Sequence, residues 1–214
     1  LQTINDMMEG GIKKERTETF DLRPEQREAV DMTRDYFQHM DSLDPERAPH
    51  FLWNCKMRFG KTFASYMLAK EMNWKRILIL TFKPAVESAW EDDLLTHVAF
   101  DGWEFVLCRA TTKSPQCSKD THLVCFGSFQ DLMGKSPSGG IKAKNEWIHL
   151  VNWDCVILDE YHYGAWREGA KDLFENDLPD FTNTGLDLFD EDLMPITTGH
   201  YLYLSGTPFR AIST

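Results

Sequence analysis

The sequence has 214 residues, with 34 acidic against 23 basic side chains and a formal net charge of −11. Hydrophobic residues make up 42% and aromatic residues 13%, enough for a packed core and too many for a disordered chain. The acidic balance counts against a small free-standing nucleic-acid-binding domain, which is ordinarily basic, but leaves room for a basic groove on an acidic body. No apolar run reaches about 18 residues, so no membrane-spanning helix is expected.

The ends, Leu1-Gln2 and Ile212-Ser213-Thr214, read as cut from a longer protein. Residues 1–21 are polar and mixed and read as a linker or the tail of a preceding domain. Pro24 to Met40 reads as a helix with proline in its first turn. His50 to Asn54 is a short apolar strand, and Lys61 to Met72 a helix carrying Phe63, Tyr66, Met67 and Leu68. Arg76 to Phe82 (RILILTF) is a continuous apolar run of the kind buried on both faces of a parallel sheet. Pro84 opens a helix to about His97. Glu104 to Cys108 and His122 to Phe126 read as strands, Ser128 to Met133 as a short helix, and Lys135 to Lys144 as a Gly/Ser/Lys loop. Asp154 to Leu158 is a strand ending in Asp159-Glu160. An acidic insertion at about 172–198 follows, a solvated rim rather than a binding tail. His200 to Leu204 is the last strand, leading into Ser205-Gly206-Thr207-Pro208.

The alternation predicts an α/β fold: a mainly parallel sheet with helices on both faces, a three-layer sandwich. In such sheets ligands bind outside the carboxyl ends of the strands. Gly60-Lys61-Thr62, Asp159-Glu160 and Ser205-Gly206-Thr207 each follow a predicted strand directly, so they should meet at one edge. The five cysteines, Cys55, Cys108, Cys117, Cys125 and Cys155, are odd in number and form no C-x-x-C pair. That argues against zinc or a disulfide framework and for reduced thiols in a cytoplasmic protein.

The stretch WNCKMRFGKTF, from Trp53, ends like a phosphate-binding loop, although Cys55 stands where the signature G-x-x-x-x-G-K-[ST] has its first glycine. A phosphate cradle needs inward-pointing backbone N–H groups and a helix N-terminus behind them. The position between a strand and a helix provides both, with Arg58, Phe59, Gly60, Lys61, Thr62 and Phe63 as candidate binding residues. Lys61 suits the β- and γ-phosphates and the Thr62 hydroxyl suits magnesium. Arg58 could add charge beside a phosphate or simply be a solvated loop residue. In VILDEYHYGAW, from Val156, Asp159 is a candidate magnesium ligand and Glu160 a candidate general base. The plain alternative is an acidic helix start.

Gly60-Lys61-Thr62 with Asp159-Glu160-Tyr161-His162, then SGTPFRA from Ser205, resembles the first RecA-like motor lobe of superfamily 2 helicases and translocases of the DExH type. The resemblance covers roughly residues 22–211. It implies an ATP hydrolase that uses magnesium, held by Thr62 and Asp159, with Lys61, Asp159 and Glu160 as catalytic residues. LRPEQREAV, from Leu22, is similar to the segment whose glutamine reads adenine, which implies that role for Gln26. Ser205, Gly206 and Thr207 match the motif that couples nucleotide state to nucleic-acid movement, and His162 would link to it. ILTFKPAVESAW places Lys83 and Pro84 near a nucleic-acid backbone, and CFGSFQDL does the same for Ser128 and Gln130. The chain departs from the family at Cys55 and in the run Lys56-Met57-Arg58-Phe59, where small residues are usual.

LRPEQ and SGTPFRA resemble most the motor subunits of type I and type III restriction enzymes. The implied partners are duplex DNA, a second RecA-like lobe that supplies arginine fingers, and nuclease or methyltransferase subunits. Two other readings stand beside this one: a nucleotide-gated switch with a protein partner, and a degenerate structural lobe. The intact Lys61, Thr62, Asp159 and Glu160 argue against the second. Trp53, Trp90, Trp147, Trp153 and Trp166 could stack bases but read as core residues. Lys142 and Lys144 could meet phosphates or be solvated.

Overall fold

The computed structural model describes residues 15–81, 84–110, 114–129, 132, 146–160 and 196–206. Lys83, Gln130, Lys142, Lys144, His162, Trp166, Thr207, the 135–144 loop, half of the expected 128–133 helix and most of the acidic insertion lie outside the described residues.

Helix α1 spans Pro24–Leu43 and α2 spans Lys61–Glu71. Proline suits the first position of α1, where its missing N–H costs nothing. The Gln26 side-chain oxygen accepts the Arg23 backbone N–H at 2.8 Å and closes the turn from behind. The helix expected from Pro84 begins later: Pro84–Val86 form a single 3-10 turn, and α3 spans Glu87–Thr96. The strands are β1 His50–Asn54, β2 Arg76–Thr81, β3 Glu104–Leu107, β4 Leu123–Ser128, β5 Cys155–Asp159 and β6 Tyr201–Ser205. Every strand expected from an apolar run is present, with ends shifted by a residue or two. The short helix α4, Glu146–Leu150, was not expected; at five residues it is too short to show a helical period. Part of the stretch read as a linker lies on the lobe: the Thr17 and Glu18 N–H groups donate to the Thr96 carbonyl at 2.9 and 3.0 Å.

The six strands are all parallel, in the order β1-β6-β5-β2-β4-β3. Successive residues of a strand point to opposite faces, so each apolar run supplies both. Ile77, Ile79, Val124, Phe126, Ile157, Leu202 and Leu204 lie under α1, α2 and α3, against Phe37, Tyr66 and Trp90. Leu78, Leu80, Cys125, Val156, Leu158 and Tyr203 form the other face, against Phe129, Trp147, Ile148 and Trp153. The three layers and the reading of Trp53, Trp90, Trp147 and Trp153 as core residues both follow.

At the amino edge, Asp154 Oδ2 accepts the Lys75 and Arg76 N–H groups at 2.6 and 2.8 Å, which sets the start of β2. The carboxyl edge is polar. Asn54 pairs with Ser205, and Thr81 pairs with Ser128 on one side and Asp159 on the other. Five of the six strands thus end in a polar residue at one level, and this edge carries the candidate site.

Candidate active site

Strand β1 leaves the sheet at Asn54, and the Cys55 N–H donates to the Ser205 carbonyl at 2.8 Å. The loop is therefore pinned to the end of β6. Its apex is exposed, with Arg58 in the left-handed region at φ 65°. Gly60, at φ 74°, caps α2 in the same region, which costs glycine nothing sterically and other residues about 1–2 kcal/mol. A Cβ on Gly60 would sit 2.6 Å from Gln26 Nε2.

Gln26 explains that crowding. Its amide nitrogen donates to the Phe59 carbonyl at 2.8 Å and the Gly60 carbonyl at 3.1 Å. The Arg23 guanidinium donates to the Arg58 carbonyl at 2.8 Å and also to that of Phe59. Carbonyls tied back in this way fix the loop ahead of the start of α2, where the helix dipole favours an anion. The Arg23 contact was not foreseen; its signal in the sequence was only its place beside Gln26.

Strand β5 ends in Asp159, which is fully buried. Lys61 Nζ lies 2.6 Å from Asp159 Oδ1 and also bonds Glu160 Oε1. The Glu160 N–H donates to Asp159 Oδ1 at 2.8 Å, and the Trp90 indole N–H donates to Oδ2 at 2.8 Å. Glu160 sits at φ 53°, uncommon for a residue with a side chain and characteristic of sites that hold backbone strain. A Cβ on Gly206 would lie 3.8 Å from both Glu160 carboxylate oxygens, so the β6 exit loop passes beside that side chain. Burial pulls the Lys61 pKa down, but the Asp159 and Glu160 carboxylates outweigh it and hold the pKa above its ordinary value. Lys61 therefore stays cationic. Burial pushes the Cys55 thiol up to about 12, which makes it inert.

Lys61, Asp159 and Glu160 are in direct contact, with Gly60, Gln26, Ser205 and Gly206 around them. Thr62 is buried in the first turn of α2. Its hydroxyl and the Asp159 carboxylate are hard oxygen donors of the kind magnesium takes alongside nucleotide phosphates. No group of three His, Cys, Asp or Glu among the described residues forms a metal cage of its own. The Phe63 side chain does not join the site; it is buried against Phe20, His97 and Phe100, and its backbone N–H is already bonded to Asp93. Ser128 is buried at the same sheet edge, two strands from β5. Pro84 opens the turn after β2.

A family model described as type III restriction enzyme, res subunit, matches residues 19–210. The chain belongs to this family. The res-family chain is 37% identical over 155 residues to a Mycoplasma pneumoniae protein named for a type II restriction enzyme and methyltransferase (RM.MpnORF110P, C-terminus), a match covering 69% of this chain and 21% of that protein. It therefore spans about a fifth of the length of that curated relative. Among solved structures it is similar to the Sulfolobus solfataricus SWI2/SNF2 ATPase core in complex with double-stranded DNA, with a TM-score of 0.56 and 14% identity over 90% of this chain and 33% of that one. It is also similar to a nuclease-deletion mutant of the type ISP restriction-modification enzyme LlaGI in complex with a DNA substrate mimic, with a TM-score of 0.50 and 14% identity over 88% of this chain and 18% of that one. At such identity the two structures establish a shared fold. Together with the family match, they make the chain a superfamily 2 motor lobe of the restriction-enzyme kind.

Proposed function

We propose that this lobe binds ATP at the carboxyl edge of its sheet and takes part in hydrolysing the γ-phosphate in response to duplex DNA. The observation that carries this reading is the meeting of Lys61, Asp159 and Glu160 at the mouth of the loop before α2. Lys61 and the amide side of that loop stabilise the phosphate charge that builds up in the transition state. Glu160 orients the attacking water and accepts its proton. Thr62 and Asp159 would hold magnesium, which would supply neutralising charge to the phosphate when bound. Gln26, already fixed to the loop through its amide nitrogen, reads adenine with its remaining acceptor capacity.

Ser205 and Gly206 border both the loop and Glu160. This supports a coupling role for them, together with Thr207 and His162. Lys83, Pro84, Ser128 and Gln130 are the proposed contacts to DNA. A second RecA-like lobe and nuclease or methyltransferase partners in a cytoplasmic restriction system complete the proposal; the name of the Mycoplasma relative supports the restriction and methyltransferase part of it. ATP turnover with and without duplex DNA tests it, beside Lys61→Ala and Glu160→Gln. DNA stimulation that each substitution reduces by at least about 100-fold is expected. Turnover indifferent to both substitutions would refute the reading.

A further inference from the structure

Asp159 is held by more than the groups the nucleotide reading assigns to it. The Trp90 indole N–H donates to Asp159 Oδ2 at 2.8 Å, with both side chains fully buried. The other carboxylate oxygen, Oδ1, takes Lys61 Nζ at 2.6 Å and the Glu160 N–H at 2.8 Å. A carboxylate at a strand end can rotate about its last side-chain bond, and a donor on Oδ2 removes that freedom and leaves Oδ1 facing Lys61.

The indole is itself fixed. The Tyr66 hydroxyl, from α2, donates to the Trp90 carbonyl at 2.8 Å, and the two rings pack edge to face at 5.4 Å and 85°. The other buried tryptophans show that this contact is not the default for an indole in this core. Trp53 donates to the neutral hydroxyl of Thr33 and Trp153 to the Ile148 carbonyl. Among the described residues, the indole nitrogens of Trp74 and Trp147 have no partner. Trp90 faces an ion, and a hydrogen bond to a charged acceptor is roughly twice as strong as a neutral one.

We propose that Trp90 is a positioning residue for the metal-binding carboxylate: its indole N–H sets the orientation of Asp159 and thereby the affinity of the site for a nucleotide-bound divalent cation. The inference rests on the nucleotide reading above. Trp90 also lies in the first turn of α3, just beyond the Lys83-Pro84 segment proposed to meet DNA.

The test uses the full chain and its indole N–H signals in nitrogen-15 NMR, with ATP and Mn2+ as probes. The Trp90 signal is identified by its loss in Trp90→Phe. In Asp159→Asn, where a neutral amide replaces the ion, this signal should shift upfield while that of Trp53 stays in place; this arm needs no change at Trp90. In Trp90→Phe, the affinity for Mn2+ in the presence of ATP should fall about 10-fold, the scale of an outer-shell loss, while ATP binding without metal should be unchanged. A Trp90 signal indifferent to Asp159→Asn would overturn the proposal. So would equal weakening of ATP binding with and without metal, which marks a general packing defect; either result leaves the nucleotide reading standing. A wild-type chain that binds no ATP with or without metal would overturn both.

Discussion

Lys61 Nζ lies 2.6 Å from Asp159 Oδ1 and also bonds Glu160, so one ammonium joins the start of α2 to the end of β5 and to the residue that follows it, 99 residues on from the lysine. Strand β6 lies between the strands that deliver these groups, and the lysine reaches over its end.

Removing this ammonium leaves a buried carboxylate without its cation. Breaking a fully buried pair costs about 3–5 kcal/mol, and the partial exposure of Lys61 reduces this to about 1–2 kcal/mol. Lys61→Ala should therefore destabilise the chain in urea unfolding, and adding Asp159→Asn should recover most of the loss. Strictly additive costs in the double variant would show that the pair is not coupled.

Gly60 is constrained twice, by its φ of 74° and by Gln26 Nε2 at 2.6 Å from any added Cβ. Gly60→Ala should weaken nucleotide binding at least about 10-fold, through about 1–2 kcal/mol of backbone strain and a displaced Gln26. With Gln26→Ala already in place, the same substitution should do less further harm, because the clash is gone. Calorimetric titration of the two single variants and the double variant measures this difference.

The Thr33 hydroxyl donates to the Ala29 carbonyl and accepts the buried Trp53 indole N–H, both at 2.7 Å. Thr33→Val keeps the shape and strands the indole donor, at a cost of about 1–3 kcal/mol. Thr33→Ser keeps the hydroxyl and loses one methyl, about 0.8 kcal/mol. Valine should be the more damaging substitution in thermal unfolding, and the reverse order would mean that packing, not the hydrogen bond, dominates there.

His122 stacks on Trp103 with ring centres 4.3 Å apart. Its Nδ1–H donates to the Trp74 carbonyl at 2.6 Å, and its Nε2 accepts from Lys75 Nζ at 2.9 Å. Burial lowers its pKa, with Lys75 and Arg76 adding to that and the Trp74 carbonyl and Asp154 opposing it. The folded pKa thus lies below the unfolded value near 6.5. Above that value the ring is neutral in both states and its contribution is complete. As the pH falls, the unfolded chain takes up the proton first, and stability is lost down through the folded pKa. His122→Gln should flatten the unfolding free energy between roughly pH 7 and pH 5 relative to wild type.

Local pattern made much of this lobe readable. The run Ile77-Leu78-Ile79-Leu80 is apolar at every position, which only a strand covered on both faces needs, and the polar residues that end the strands marked the edge where the site lies. Trp53 and Trp90 were read as core residues, and they are. The sequence by itself determined the six strands and the helices α1 and α2, the helix after Pro84 to within a turn, and that the segments carrying Lys61, Asp159 and Ser205 leave the sheet at the same end, but not the short helix α4. Tertiary structure alone decided that β6 inserts between β1 and β5, that Gln26 and Arg23 hold the loop by its carbonyls, and that the Trp90 N–H meets Asp159. The physical reason is that a 2- or 3.6-residue period encodes only which face a residue occupies. Strand neighbours and buried hydrogen-bond partners are chosen between segments far apart in the chain, where packing and the cost of stranding a polar group select one pairing.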